Sequence, residues 1–99
     1  MLVAKSELGV VGFIRVEIKS GTFHGPKIWG NIVEFYVLPR ARRKDVAKSL
    51  LETALENLEA RHIERITAEF PFQNIPAANF YEKNGFRPLM AVYAKDLMM

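Results

Sequence analysis

Two kinds of apolar spacing share this chain. Over residues 10–18, Val10, Val11, Phe13, Ile14, Val16 and Ile18 form a dense run of strand formers, and Leu2-Val3-Ala4 precedes it across Glu7-Leu8-Gly9. That pattern predicts a hairpin. Residues 19–27 carry the breakers Gly21, Gly25 and Pro26 and read as a loop. Residues 31–38 are again rich in β-branched and aromatic side chains, and Pro39, with no N–H to give a ladder, stops the strand. The period then changes. Val46, Leu50, Leu51, Ala54, Leu55 and Leu58 recur at helical spacing over 45–60, while Lys44, Lys48, Glu52, Glu56 and Glu59 occupy the other side. Asp45 is placed to cap this helix. Residues 65–70 read as a strand ended by Pro71. Asn74 then caps a second helix, Pro76 suits its first turn, and Gly85 supplies the left-handed residue after its end. Residues 86–97 read as a final strand, or a bent pair of strands, broken at Pro88.

The predicted order is β-β-β-α-β-α-β. Early strands without intervening helices favour antiparallel pairing, and the strand–helix–strand unit over 31–70 favours a parallel pair joined by a right-handed crossover. The expected fold class is therefore α+β (α/β): a mixed, mostly antiparallel sheet carrying two helices.

Composition narrows the function. A chain of 99 residues fits one small domain, here taken as 1–99. It has no cysteine, which excludes disulfides, thiolate metal sites and a cysteine nucleophile. No apolar run approaches the ~18 residues of a membrane helix, and Met1-Leu2-Val3-Ala4-Lys5-Ser6 lacks the pattern of a signal peptide. The expectation is a cytoplasmic protein away from membranes. A net charge of +3 favours an anionic small molecule and is weak ground for nucleic acid.

Chemistry concentrates in two segments. Arg40, Arg42, Arg43 and Lys44 surround a helix start, where outward N–H groups and the helix dipole attract anions. A pyrophosphate would suit this place; a solvated basic turn before an amphipathic helix explains the same residues. The second segment, 74–86, puts an amide, small alanines and Tyr81 on one short helix. Tyr81 reads equally as a core aromatic sharing a face with Ala77. Glu34 is an acid inside an otherwise apolar strand. Buried there, its carboxyl would titrate high and could take a proton; facing solvent, it would be ordinary. His24 and His62 are isolated from each other and from acidic clusters, so no metal site is expected.

In this order the motifs resemble those of the GCN5-related N-acetyltransferase (GNAT) superfamily. Its strand ending Val-x-Pro and its loop Gln/Arg-x-x-Gly-x-Gly/Ala align with Val37-Leu38-Pro39 and Arg42-Arg43-Lys44-Asp45-Val46-Ala47. Its later signature, Asn-x-x-Ala-x-x-hydrophobic-Tyr-x-x-x-Gly-Phe, is met by Asn74, Ala77, Phe80, Tyr81, Gly85 and Phe86. The opening hairpin resembles the family's second and third strands. The resemblance implies an acetyl-CoA-dependent transfer to an amine acceptor, by direct attack and without a metal. It implies that Arg42, Arg43, Lys44, Asp45, Val46 and Ala47 hold the pyrophosphate. Backbone groups near Val37 would serve the carbonyl, Tyr81 would act as the acid, and Asn74 would touch the cofactor besides capping its helix. Glu34 is the best candidate base, with water as the alternative.

The chain departs from the family pattern at named places. Asp45 replaces a loop glycine, and a carboxylate there would cap the helix with the N–H groups a phosphate wants. Arg43 replaces a common small residue. The resemblance begins at the family's second strand, so the first strand and first two helices, which usually build much of the acceptor pocket, are expected to lack a counterpart. Only 13 residues follow Phe86, and Tyr93-Ala94-Lys95-Asp96-Leu97 resembles the last strand, so the final pair is expected to be reduced. Exposed apolar surface on such a sheet predicts a homodimer. Two other readings remain: a non-catalytic binding or assembly subunit, and, weakest, nucleic-acid binding through residues 40–44.

Overall fold

The computed structural model describes residues 2–6, 9–21, 25, 27–42 and 45–98. The hairpin forms as β1 (Leu2–Ser6) and β2 (Gly9–Ser20), paired antiparallel with Leu2 opposite Ile14 and a register shift between Ala4 and Lys5. β2 then pairs antiparallel with β3 (Ile28–Val37) along almost its whole length, from Ser20 opposite Ile28 to Gly12 opposite Val37. After a single 3₁₀ turn over Pro39–Ala41, α1 (Val46–Ala60) crosses to β4 (Ile66–Ala68), which lies parallel to β3. The sheet order is β1-β2-β3-β4, and α2 (Ile75–Lys83) follows. The class is therefore the expected one: mixed, mostly antiparallel, with two helices.

The core lies between the sheet and α1. Leu50, Leu51, Ala54 and Leu58 form the buried stripe of that helix; the first three cluster with Val11, Ile14, Ile32, Val37 and Ala41, and Leu58 sits over Gly30. Ile14 and Leu51 are fully buried, each stabilising the fold by about 1.5–3 kcal/mol. Phe35 from β3, and Phe80, Tyr81 and Phe86 from α2 and its C-terminal end, pack against the same cluster. A small residue is required where α1 comes closest to β3: a Cβ at Gly30 would lie 2.8 Å from Leu58 Cδ1. Among the described residues, no helix is long and apolar enough to cross a membrane.

Three sequence expectations change. No strand forms over residues 86–98, so the order ends β-α. A strand exists only by pairing; Pro88 removes one donor, and the neighbouring edge, β4, is just three residues long. Secondly, the turn before α1 is not wholly solvated, because Ala41 is buried in the core. Thirdly, the strand boundaries move: β3 begins three residues earlier than the predicted 31, at Ile28, and β4 holds only the middle of 65–70.

Candidate active site

β3 and β4 pair at only three positions: Gly30 with Ile66, Asn31 with Thr67, and Ile32 with Ala68. Beyond them β3 continues to Val37, while the other chain segment leaves through Phe70 and Pro71. A cleft of about 210 Å³ opens there, lined by residues 32–35, residues 68–70, and Asn74, Ala77 and Tyr81 from α2 and its cap. On this side the backbone of residues 33–35 has no ladder partner among the described residues. Its N–H and C=O groups are therefore available to a ligand. β3 is also bulged at the cleft. Its pairing with β2 passes from Glu34 opposite Arg15 to Ile32 opposite Val16, leaving Val33 as the extra residue. Bulges bend a strand and re-aim its groups, and they recur beside active sites.

Tyr81 forms one wall. Its ring stacks on Phe70 (centroids 5.5 Å apart, planes at 14°) and meets Phe80 and Phe86 at 5.3 and 5.0 Å. Burial pushes its phenol above the ordinary value of 10.0, because the phenolate would lose its water. At neutral pH the group is a proton donor, and its hydroxyl makes no hydrogen bond to another described residue.

The local sequence dictates how Tyr81 is held. Asn74 Oδ1 accepts from the Ala77 N–H at 3.1 Å and starts α2. At the other end Gly85 takes φ 91°, its N–H donates to Glu82 O, and the Phe86 N–H donates to Tyr81 O at 2.9 Å. This is a Schellman ending, completed by the apolar contact of Phe86 with Tyr81. Asn74, Tyr81, Gly85 and Phe86 thus fix one short helix against the cleft.

Glu34 also lines the cleft, but the burial expected of an acid inside an apolar strand is not found. Its side chain is exposed, and Oε1 accepts from Arg15 Nε at 2.7 Å. The cause is the cross-strand pairing, which sets Glu34 opposite Arg15. Arg15 Nη1 also bonds Glu17 Oε1 at 2.9 Å.

The basic turn sits at the far end of β3. Arg42 Nε donates to Val37 O at 3.0 Å, and its guanidinium lies 5.8 Å from the centroid of the Tyr36 ring. Val37 itself is a buried core residue outside the cleft lining, two residues past the unpaired backbone of 33–35. Asp45 precedes α1 in the left-handed region, φ 55° and ψ 25°. Its carboxylate makes no capping hydrogen bond, which corrects the predicted role, and it forms no ion pair among the described residues. Val46 and Ala47 pack partly buried against the core. Arg43, Lys44 and His24 lie outside the described residues. His62 is exposed and left-handed just past α1, and no group of acids and histidines able to hold a metal exists among the described residues.

Sequence reasoning missed Phe70 and the bulge at Val33. Phe70 had a signal, as the last apolar residue before Pro71. The bulge had none, because register depends on the partner strand.

The family model "Acetyltransferase (GNAT) domain" matches residues 1–88. Similar solved structures include the aminoglycoside antibiotic 6'-N-acetyltransferase AAC(6')-IG from Acinetobacter haemolyticus (18% identity, TM-score 0.82, covering 98% of this chain and 68% of that one). AAC(6')-Iy in complex with the bisubstrate analogue CoA-S-monomethyl-acetylneamine matches at 16% identity and TM-score 0.85, over 98% of this chain and 67% of that one. A ribosomal-protein-alanine N-acetyltransferase from Brucella melitensis biovar Abortus 2308 matches at 20% and 0.76, over 96% and 68%. At these identities the likeness establishes the fold, and this chain spans about two thirds of their lengths. Among curated proteins no relative matches.

Proposed function

We propose that this chain, which belongs to the GNAT acetyltransferase family, moves an acetyl group from acetyl-CoA to an amine by direct attack. The observation that carries the reading is a half-buried, protonated Tyr81 at the wall of a cleft where β3 parts from β4. Acetyl-CoA is the co-substrate and, when bound, supplies the thioester. The unpaired backbone of residues 33–35 gives its acyl arm hydrogen-bond partners of the kind a strand would use, and N–H groups there can serve the carbonyl oxygen. Arg42, pinned at the end of β3, and the first turn of α1, left uncapped by Asp45, suit its pyrophosphate.

Glu34 and Glu69 line the cleft and suit a cationic acceptor; Glu34 or water takes the proton that leaves the ammonium. As the new C–N bond forms and the C–S bond breaks, the bond's electron pair stays on sulfur, and Tyr81 gives it the phenolic proton. The nitrogen releases its second proton to solvent as the neutral amide forms, and the phenolate regains one from solvent. The similar structures include aminoglycoside and ribosomal-protein acetyltransferases, so an amine acceptor is the shared chemistry. The reading as a non-catalytic subunit rested on an Asp45 carboxylate closing the helix start and on the missing acceptor region; the first is not found, since Asp45 makes no capping bond.

The test is Tyr81→Phe. Turnover should fall by roughly 10²–10⁴-fold, the usual contribution of a positioned acid, with acetyl-CoA affinity little changed. In the native chain turnover should hold through neutral pH and decline only above pH 10.0, as the phenol ionises. Unchanged turnover in the variant would remove Tyr81 from the mechanism.

A further inference from the structure

Phe70 is an oddly placed aromatic. It follows the last paired residue of β4, Ala68, by two positions and directly precedes Pro71. Ile66, Ala68, Phe80, Tyr81 and Phe86 all pack against the main core cluster, but Phe70 does not. It remains 36% exposed, and its aromatic partner is Tyr81. The two rings lie nearly parallel at 5.5 Å, whereas Phe80 and Phe86 meet Tyr81 at steep angles of 73° and 57°. Of the three phenylalanines around Tyr81, Phe70 alone also lines the cleft. Its apolar surface therefore does little for the core and much for the site.

We propose that Phe70 is a positioning residue for acetyl transfer: by stacking on Tyr81 it fixes that ring at the cleft wall and keeps water off one of its faces. The inference rests on the role given to Tyr81 above. Pro71 holds Phe70 in place by locking its own φ and by restricting the residue before it to extended conformations. A stacked aromatic pair also gains attraction beyond its buried area. The charged groups around the phenol are few. Glu34, bound to Arg15, faces it from β3, and Glu69 from the segment after β4; Glu82 and Lys83 follow it on α2. None of them contributes to the rise of the phenol's titration, which comes from burial alone. Removing the stacked ring should thus act directly on Tyr81.

The experiment is an ultraviolet titration of phenol ionisation in the native chain, Phe70→Ala and Phe70→Trp, with Tyr81→Phe assigning the Tyr81 step among the three tyrosines. Amine acetylation and acetyl-CoA binding are measured on the same proteins. Phe70→Ala should bring the Tyr81 step down toward 10.0. It should also lower kcat by about tenfold, part of the roughly 10²–10⁴-fold of a positioned acid, while acetyl-CoA affinity stays within about twofold. Phe70→Trp should restore both. Phe70→Leu, which keeps apolar bulk without a stacking ring, guards against misfolding and should behave like the alanine variant in kcat. An unmoved Tyr81 step in both the alanine and leucine variants would overturn the inference. Absence of any turnover in the native chain would instead overturn the acetyl-transfer reading and leave the phenol titration to decide whether Phe70 shields Tyr81.

Discussion

Asp45 shows how one residue can satisfy the backbone and neglect the helix. It enters α1 at φ 55°, a region where side chains other than glycine cost about 1 kcal/mol or more. Aspartate tolerates it better than most, yet its carboxylate forms no cap in return. The helix begins all the same, through the Ser49 N–H donating to Asp45 O at 3.0 Å. Asp45→Gly should therefore leave the fold unchanged and raise stability by about 0.5–1 kcal/mol, less what glycine's looser unfolded state takes back. Thermal unfolding measures this, and a loss of stability would mean that the carboxylate does hold the turn. The same change removes a negative charge from the proposed phosphate site and should tighten CoA binding.

At the scale of elements, the ladder between β2 and β3 leaves no room for a side chain at Gly12. A Cβ at Gly12 would come within 2.9 Å of the Tyr36 carbonyl oxygen and 3.1 Å of Val37 Cγ2. The first of these is backbone inside a ladder and cannot turn away. Gly12→Ala should destabilise by about 1–3 kcal/mol, read as a lower denaturant midpoint at constant slope. An unshifted midpoint would show that the ladder gives more than its contacts suggest. Elements whose signals are local were legible beforehand. α1 came from its stripe of Leu50, Leu51, Ala54 and Leu58, and α2 from Asn74 and Gly85. What depends on a partner was not. The bulge at Val33 and the parting of β3 from β4 arise from pairing between strands far apart in sequence. Residues 86–98 have a strand-like composition but find no edge to join. Of the candidate site, Tyr81 and Asn74 were nameable beforehand and line the cleft; the turn of Glu34 toward Arg15 was not legible.

Over the whole molecule, the radius of gyration is 15.3 Å, against about 13 Å for a compact chain of this length. The segment after α2 exposes Met90, Val92, Tyr93, Leu97 and Met98. Apolar residues in such number call for a cover, and we propose that a second copy provides it. Light scattering at micromolar concentration should give the mass of two chains; the 11.3 kDa of one would refute the dimer. The account as a whole turns on whether the parted strands and the uncapped α1 accept the acetyl donor. Calorimetric titration of acetyl-CoA into the native protein, with CoA alongside, tests this most directly. We expect saturable binding of both near one per chain. Absence of binding at high micromolar concentration would contradict the account and leave a GNAT fold without its donor site.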